Sequence, residues 1–204
     1  MIKTFFRSDI DNMETRYRAH FVNSLSGFKS ANLVGSIDQQ GIENLAVVSS
    51  VVHLGANPPL MGMVMRPHTV RRDTLENIKA TKVYTLNHIG VDFVEQAHQS
   101  SASYQAEENE FDKVGLDSEY LSDFIAPFVQ QSAIKLGMAL VEIVPIKHNG
   151  TVLIIGEIVQ AHVAANAIQS DGFVSLSSKG IVAINGLDAY VTQQQEKRFP
   201  YAKP

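Results

Sequence analysis

The chain has no cysteine and no tryptophan. The first absence removes thiol nucleophiles, disulfide scaffolds, thiolate zinc sites and iron–sulfur ligation. The second removes indole stacking. Long apolar runs are missing as well. The longest, such as VLII at 152–155, are far too short to cross a bilayer. Neither sign of charge dominates. Seventeen Lys and Arg face twenty-one Asp and Glu, for a net charge of −4. No basic excess marks a nucleic-acid or membrane-surface partner. The thirteen glycines include no Gly-x-Gly pair, so there is neither a dinucleotide-binding fingerprint nor a phosphate-binding loop of that type. The seven His residues are dispersed, with no His-x-x-x-His or His-Glu pair. No metal site is expected. No Gly-x-Ser-x-Gly elbow is present either.

What remains is an ordinary globular composition. The chain has 204 residues, 45% hydrophobic and 19% charged, which fits one domain, 1–204. The first twenty residues scatter their charges and hold no apolar signal core, so the expected location is the cytoplasm. The Asn149-Gly150-Thr151 sequon then reads as a turn.

Residues 8–24 read as a helix, with Ser8 as cap, acidic residues in the first turn and Gly27 past the end. Residues 31–37 read as a strand, 38–41 as a turn and 42–52 as the returning strand. Ala56-Asn57-Pro58-Pro59 breaks the chain before a strand at 60–65. Asp73 and Glu76 have capping-box spacing at the start of a short helix running to about Ala80. A strand at 82–88 and a helix at 91–99 follow, then a polar, irregular excursion over 100–120. Two long strands, 132–146 and 151–164, flank a tight turn at Asn149-Gly150. Leu153, Ile155, Val159, Ala161 and Val163 form one face of the second strand. Val152, Ile154, Ile158 and His162 form the other. Two apolar faces imply a closed barrel covered by helices or by a partner subunit. Glu157 sits on the first face and needs a hydrogen-bond or charge partner there. Short strands close the chain near 173–176 and 181–184. The expected class is mainly β, a small β-barrel with short peripheral helices.

Three segments carry candidate chemistry. Three of the seven arginines fall within residues 66–72 (Arg66, Arg71, Arg72), just before a helix start at Asp73-Thr74. Arg forks, hydroxyls and helix N–H groups together can bind an anion, most naturally phosphate. The alternative is a solvated loop whose Asp73 caps the helix and repels anions. Asn44 leads to the adjacent hydroxyls Ser49 and Ser50, which suit a heterocycle edge or a phosphate, or simply satisfy backbone where the strand ends. His98 and Ser100 end a helix with several polar groups together, a cofactor rim or a capped helix end.

The order of these segments carries a resemblance. GIENLAVVSSVVHLGANPPLMGMVMRP, RRDTLENIKATKVYTLNHI, an EFDKVGL, TVLIIGEIVQAHV and a late GLDAYV follow one another. In this order the chain, from about residue 30 to about 190, resembles the flavin reductase-like family with the FMN-binding split β-barrel. The resemblance implies a homodimer, with residues 1–27 a helical extension outside the match. It implies bound flavin, FMN with FAD as the alternative. It implies hydride transfer from NAD(P)H to flavin N5, and a partner monooxygenase as one acceptor of reduced flavin. No nucleic acid, membrane or metal is implied. It casts Ser49, Ser50 and Arg66 as flavin contacts and Arg72 and Thr74 as phosphate ligands. Asn44, His98, Ser100 and Tyr190 become further cofactor-site residues. His53 departs from the family pattern and is expected to pack or hydrogen-bond. No side-chain nucleophile is needed, which accords with the missing cysteine. The rival readings are an FMN carrier, sensor or electron-transfer protein without turnover, a pyridoxamine-phosphate-oxidase-like enzyme, and a bare barrel interaction domain.

Overall fold

The computed structural model describes residues 1–67, 72–105, 108–192 and 195–203. Two N-terminal helices, α1 (Arg7–Asp11) and α2 (Thr15–Leu25), stand where one was expected. The break has a local cause. The Glu14 carboxylate accepts from Tyr17 N–H at 2.9 Å and starts α2 afresh, while Arg18 donates to the Asp11 carbonyl at 2.9 Å. Ser8 does not cap; Asp9 accepts from Phe6 N–H at 2.7 Å. Neither helix buries a residue.

The strands that follow are β1 (Lys29–Ser30), β2 (Asn32–Ile37), β3 (Glu43–Val48), β4 (Val51–Ala56) and β5 (Pro59–Met65). The β2–β3 turn is closed by Asp38, whose carboxylate accepts from Gln40 and Ile42 N–H, both at 2.8 Å. The expected strand 42–52 is two strands, divided at Ser49-Ser50. Asn57-Pro58 turns β4 into β5 as a hairpin rather than ending the sheet. Helix α3 (Asp73–Thr81) precedes β6 (Val83–His88). Arg72 occupies its cap position without a side-chain hydrogen bond to the helix, so Asp73 lies inside the first turn and the expected capping box is not formed. A 3₁₀ turn (Val91–Phe93) leads into α4 (Val94–Gln99).

The supposedly irregular 100–120 region contains α5 (Glu110–Val114). Its signals are brief but physical. Asn109 accepts from Phe111 N–H at 2.9 Å, Gly115 ends the helix at φ 71°, and Phe111 and Val114 are buried three residues apart. Two short strands, β7 (Ser118–Glu119) and β8 (Phe128–Val129), pair with each other. The long strands are β9 (Ile134–Ile146) and β10 (Thr151–Val163). Near 173–176 there is only an isolated bridge from Val174 to Ile168, then a 3₁₀ turn at Ser177–Lys179. The chain closes with β11 (Ala183–Asn185) and β12 (Ala189–Val191), which form a small sheet with β1.

The main sheet is antiparallel, in the order β3-β2-β6-β9-β10-β5-β4. β3 and β4 lie at opposite edges of this order, yet only two residues join them. A flat sheet of seven strands spaced about 4.8 Å apart would separate its edges by roughly 29 Å. Two extended residues cannot span that, so the sheet must curl until its edges meet. Ser30 Oγ donates to the Val51 carbonyl at 3.0 Å at this junction. Val34, Met63, Tyr84, Leu86, Met138 and Ile154 fill the interior, with Leu75 and Ile78 of α3 packed among them. A second core lies between the sheet's other face and α4, α5 and the β11 segment, around Leu33, Leu45, Phe93 and Phe111.

Both faces of β10 are apolar, as expected, but they differ in burial. Ile154 is fully buried, whereas Val159 is 51% exposed. Register shifts after Ile155 and Ile158 bend the strand between these positions.

Two glycines permit close approach. A Cβ at Gly35 would run into the Pro127 carbonyl and Thr85 Oγ1, and one at Gly156 into the Tyr84 hydroxyl. Gly35→Ala is expected to destabilise by about 3 kcal/mol or more, because a backbone oxygen cannot swing aside. Gly156→Ala should cost less, since Tyr84 is a side chain. Urea unfolding followed by circular dichroism checks both, and equal stability of Gly35→Ala and the parent chain would refute the packing described.

Candidate functional site

The arginine-rich segment ends on α3. Arg72 sits at its cap with extended backbone (φ −128°, ψ 95°), and its Nε is buried with no hydrogen-bond partner among the described residues. A buried unpaired guanidinium nitrogen calls for an acceptor. Thr74, 5% exposed, accepts at Oγ1 from Asn44 Nδ2 at 2.9 Å. This contact binds α3 to β3, and Asn77 Nδ2 repeats it on β2, donating to Ser36 Oγ at 3.2 Å. Arg66 is exposed just beyond the end of β5. Arg71, with 68–70, lies outside the described residues.

The serine pair sits at the corner where the sheet closes. Ser50 Oγ donates to the Val64 carbonyl at 2.7 Å, fixing the start of β4 beside the end of β5. Ser49 is half-buried at the end of β3. Asn44 and Ser49 are five residues apart on one extended segment, roughly 17 Å.

The remaining candidates form a separate group. His98 Nδ1 and the Tyr190 hydroxyl lie 3.2 Å apart, with the rings edge to face at 5.7 Å. Burial, helped by Asp188, pushes the Tyr190 phenol up, so it stays a neutral hydrogen-bonding group at physiological pH. Ser100 is buried and donates to the Ala97 carbonyl at 2.8 Å, closing the end of α4. Among the described residues, no hydrogen bond links this group to Asn44, Thr74 or the serine pair.

The sequence reading misses an acidic neighbour of the α3 start. A shallow pocket of only about 10 Å³ is lined by Asp38, Glu43, Asp73, Glu108 and Glu110, together with Asn44. It holds little more than a water, and its charge repels phosphate. Glu110 accepts from Leu45 N–H at 3.2 Å and so docks α5 on the edge strand β3. Asn109 Nδ2 and the Tyr120 hydroxyl reinforce this by donating to Glu43 at 3.0 and 2.7 Å. Burial pushes the Glu110 carboxyl up to about 7, with Asp73 and Glu108 adding to the rise. At this end of the molecule, then, the acidic surroundings belong to Asn44, while the unpaired guanidinium nitrogen is that of Arg72.

Comparison with known proteins gives the following matches. The model of the Flavin reductase like domain matches residues 27–177. A split-barrel-domain protein of Shewanella frigidimarina NCIMB 400, provisionally named a flavin reductase, is 55% identical and superimposes with a TM-score of 0.95 over 98% of this chain and 100% of that one. Nitrilotriacetate monooxygenase component B from Bacillus cereus shares the fold at 17% identity, with a TM-score of 0.85 over 98% and 99% of the two chains. An FMN-binding protein from Thermus thermophilus shares it at 16% identity, with a TM-score of 0.70 over 85% and 90%. A curated Aquifex aeolicus (strain VF5) protein of unassigned function is 26% identical over 115 residues, 55% of this chain. The match spans only 59% of that relative's length. Among the described residues, no helix is long and apolar enough to cross a membrane.

The raised Glu110 carboxyl makes a pH prediction. A raised acid binds more protons folded than unfolded, so its contribution is fully present below the ordinary carboxylate range and is lost as pH climbs through about 7. Glu110→Gln keeps an acceptor for Leu45 N–H and removes the desolvated charge. It is expected to stabilise by about 1 kcal/mol above pH 7, a figure reduced for partial solvent exposure, and to flatten the slope between pH 5 and 7. Urea midpoints at pH 5 and pH 8 would show this. An unchanged slope would rule it out.

Proposed function

The chain belongs to the flavin reductase-like family, and from that premise we propose that it holds FMN and works as an NAD(P)H-dependent flavin oxidoreductase. Bound flavin would supply the two-electron chemistry for which this cysteine-free chain has no side chain. The observation that carries the reading is Arg72 Nε, buried and without a partner among the described residues, at a helix start that its own side chain does not cap. A phosphate matches this group in charge and in hydrogen-bonding capacity, and FMN ends in a phosphate.

The chain's own residues would bind and orient. Arg72 would hold the phosphate, with exposed Arg66 adding long-range attraction. Thr74, held by Asn44, would keep the helix start fixed against β3. Ser49 and Ser50 would line the ribityl or ring portion, and the Ser50–Val64 bond keeps that corner rigid. His98, Ser100 and Tyr190 belong to the rim in this reading, with Ser100 acting through the shape of the α4 end.

A second copy of the chain completes the proposal. Val52, Leu54, Val64, Val141 and Val159, on β4, β5, β9 and β10, are each more than a third exposed. So many apolar side chains on neighbouring strands are costly in water, and a homodimer interface would cover them. Electrons would leave to a flavin acceptor such as a partner monooxygenase.

Two measurements test this. Arg72→Ala should weaken FMN by about 1.5–3 kcal/mol, the loss of a charge-assisted contact, and leave riboflavin nearly unaffected. Equal weakening of both ligands would remove Arg72 from phosphate binding. Steady-state oxidation of NADH and NADPH by the FMN-loaded protein tests turnover, and flavin that binds yet stays oxidised would leave a carrier or sensor. Separately, Val159→Glu should convert a dimer to a monomer in light scattering. A parent chain that is already monomeric would refute the second copy.

A further inference from the structure

The chain that follows β10 is thinly held. Residues 165–179 run through a 3₁₀ turn at Ala165–Ala167, the bridge from Ile168 to Val174 and the second 3₁₀ turn at Ser177–Lys179. Only Ala167 and Ser175 of this segment are buried, and Ile168 is 50% exposed. Among the described residues, its hydrogen bonds stay within the segment, go to the adjoining Gly180 and Ile181, or go to the C-terminal tail. Ser175 N–H donates to the Ala167 carbonyl at 2.9 Å and Gln169 N–H to the Phe173 carbonyl at 2.8 Å. A surface segment with so little core of its own opens at low cost.

The tail supplies what the core does not. Glu196 accepts from Leu176 N–H (2.8 Å), Ser177 N–H (3.0 Å) and Ser175 Oγ (2.7 Å). Arg198 donates to Gln169 Oε1 at 2.8 Å, pairs with Asp171 and stacks over Phe173 at 4.3 Å. Hydrogen bonds to an ionised group are about twice as strong as neutral ones. Yet all of residues 195–203 are exposed. The tail has no buried apolar anchor, so two charged side chains two positions apart carry its attachment. An attachment of that kind is reversible and screened by salt.

The same segment borders an opening. A cleft of about 270 Å³ is lined by Phe28, Ser30, His88 and Val182 together with Leu176 and Ser177. Leu176 and Ser177 are the two residues whose N–H groups Glu196 accepts from. Val182 is tied to the barrel instead, its N–H donating to the Ile89 carbonyl at 3.0 Å. One part of the cleft wall is thus fixed by the barrel and another by the tail.

We propose that the C-terminal tail is a latch, in which Glu196 and Arg198 hold the 169–177 segment down and so set access to the cleft that Leu176 and Ser177 border. Glu196 is the stronger fastening, because its three bonds enter the wall itself. Arg198 secures the more distant part through Asp171 and Phe173. Residues 195–203 lie beyond the stretch matched by the family model, and the latch does not rest on the flavin reading.

The test is hydrogen exchange followed by NMR in the full-length protein. The Ser175 and Ile181 amides bond to Ala167 and Leu176, not to the tail, so they report opening of the segment. In Glu196→Ala both are expected to exchange about tenfold faster. Val182 N–H, bonded to the barrel, should keep its rate. Arg198→Asp should speed the same two amides about threefold, as should high salt on the parent chain. Adding Asp171→Arg to Arg198→Asp should restore the parent rate. Access is read separately. The chain has no cysteine, so Val182→Cys places a single thiol in the cleft, and its labelling by a neutral maleimide should quicken when Glu196→Ala is added. If Val182→Cys fails to fold, Ser30→Cys reads the same cleft. Unchanged exchange at Ser175 and Ile181 would overturn the latch. So would an equal rise at Val182, the mark of general destabilisation. Faster exchange without faster labelling would overturn control of the cleft.

Discussion

Everything in this molecule depends on the two-residue link between β3 and β4. It ties the opposite edges of a seven-stranded sheet and leaves closure as the only geometry available. Closure creates the interior that Met63, Tyr84 and Ile154 fill, and α3 packs into the same core. It also creates the corner that carries Ser49 and Ser50. That corner is held by side-chain hydroxyls on backbone carbonyls, Ser30 on Val51 and Ser50 on Val64. The link that makes the barrel is thus also the serine pair proposed above as a cofactor contact.

Polar groups show where closure is complete and where it is not. Asn87 is fully buried and fully used, donating to the Leu33 carbonyl and Thr85 Oγ1 and accepting from Val129 N–H. Thr85 donates in turn to the Pro127 carbonyl. These bonds pin the 127–129 segment across β6 and account for buried polarity in mid-sheet. Arg72 and Asn32 differ. Each lies at the end of an element, and each has a buried side-chain nitrogen without a hydrogen-bond partner among the described residues. Groups of this kind are where a ligand gains most, because their desolvation has already been met by the fold.

Charge separates the two ends of β3. Around Asn44, five carboxylates gather, and burial lifts Glu110 toward neutrality. Beyond the other end, the cleft holding His88 has no carboxylate in its wall. The two ends of one short strand thus differ in electrostatics, acidic at Asn44 and without a carboxylate at the cleft.

The sequence by itself determined the long elements and the class. The β9–β10 hairpin with Asn149-Gly150, the β2–β3 hairpin and α3 are legible because alternation, turn residues and helix punctuation are local properties. So is the order of short motifs that names the family. The division of 42–52 at Ser49-Ser50 was not legible, because both halves have strand composition and only their different partners separate them. α5 was passed over because a five-residue helix needs only two buried positions, too few to show a period. The placing of Arg72 rather than Asp73 at the cap position of α3, and the fate of Ser100 at the end of α4, follow from where neighbouring elements come to rest. Only tertiary structure could set Asn32 opposite His88, since strand register brings together residues fifty-six positions apart that no local pattern connects.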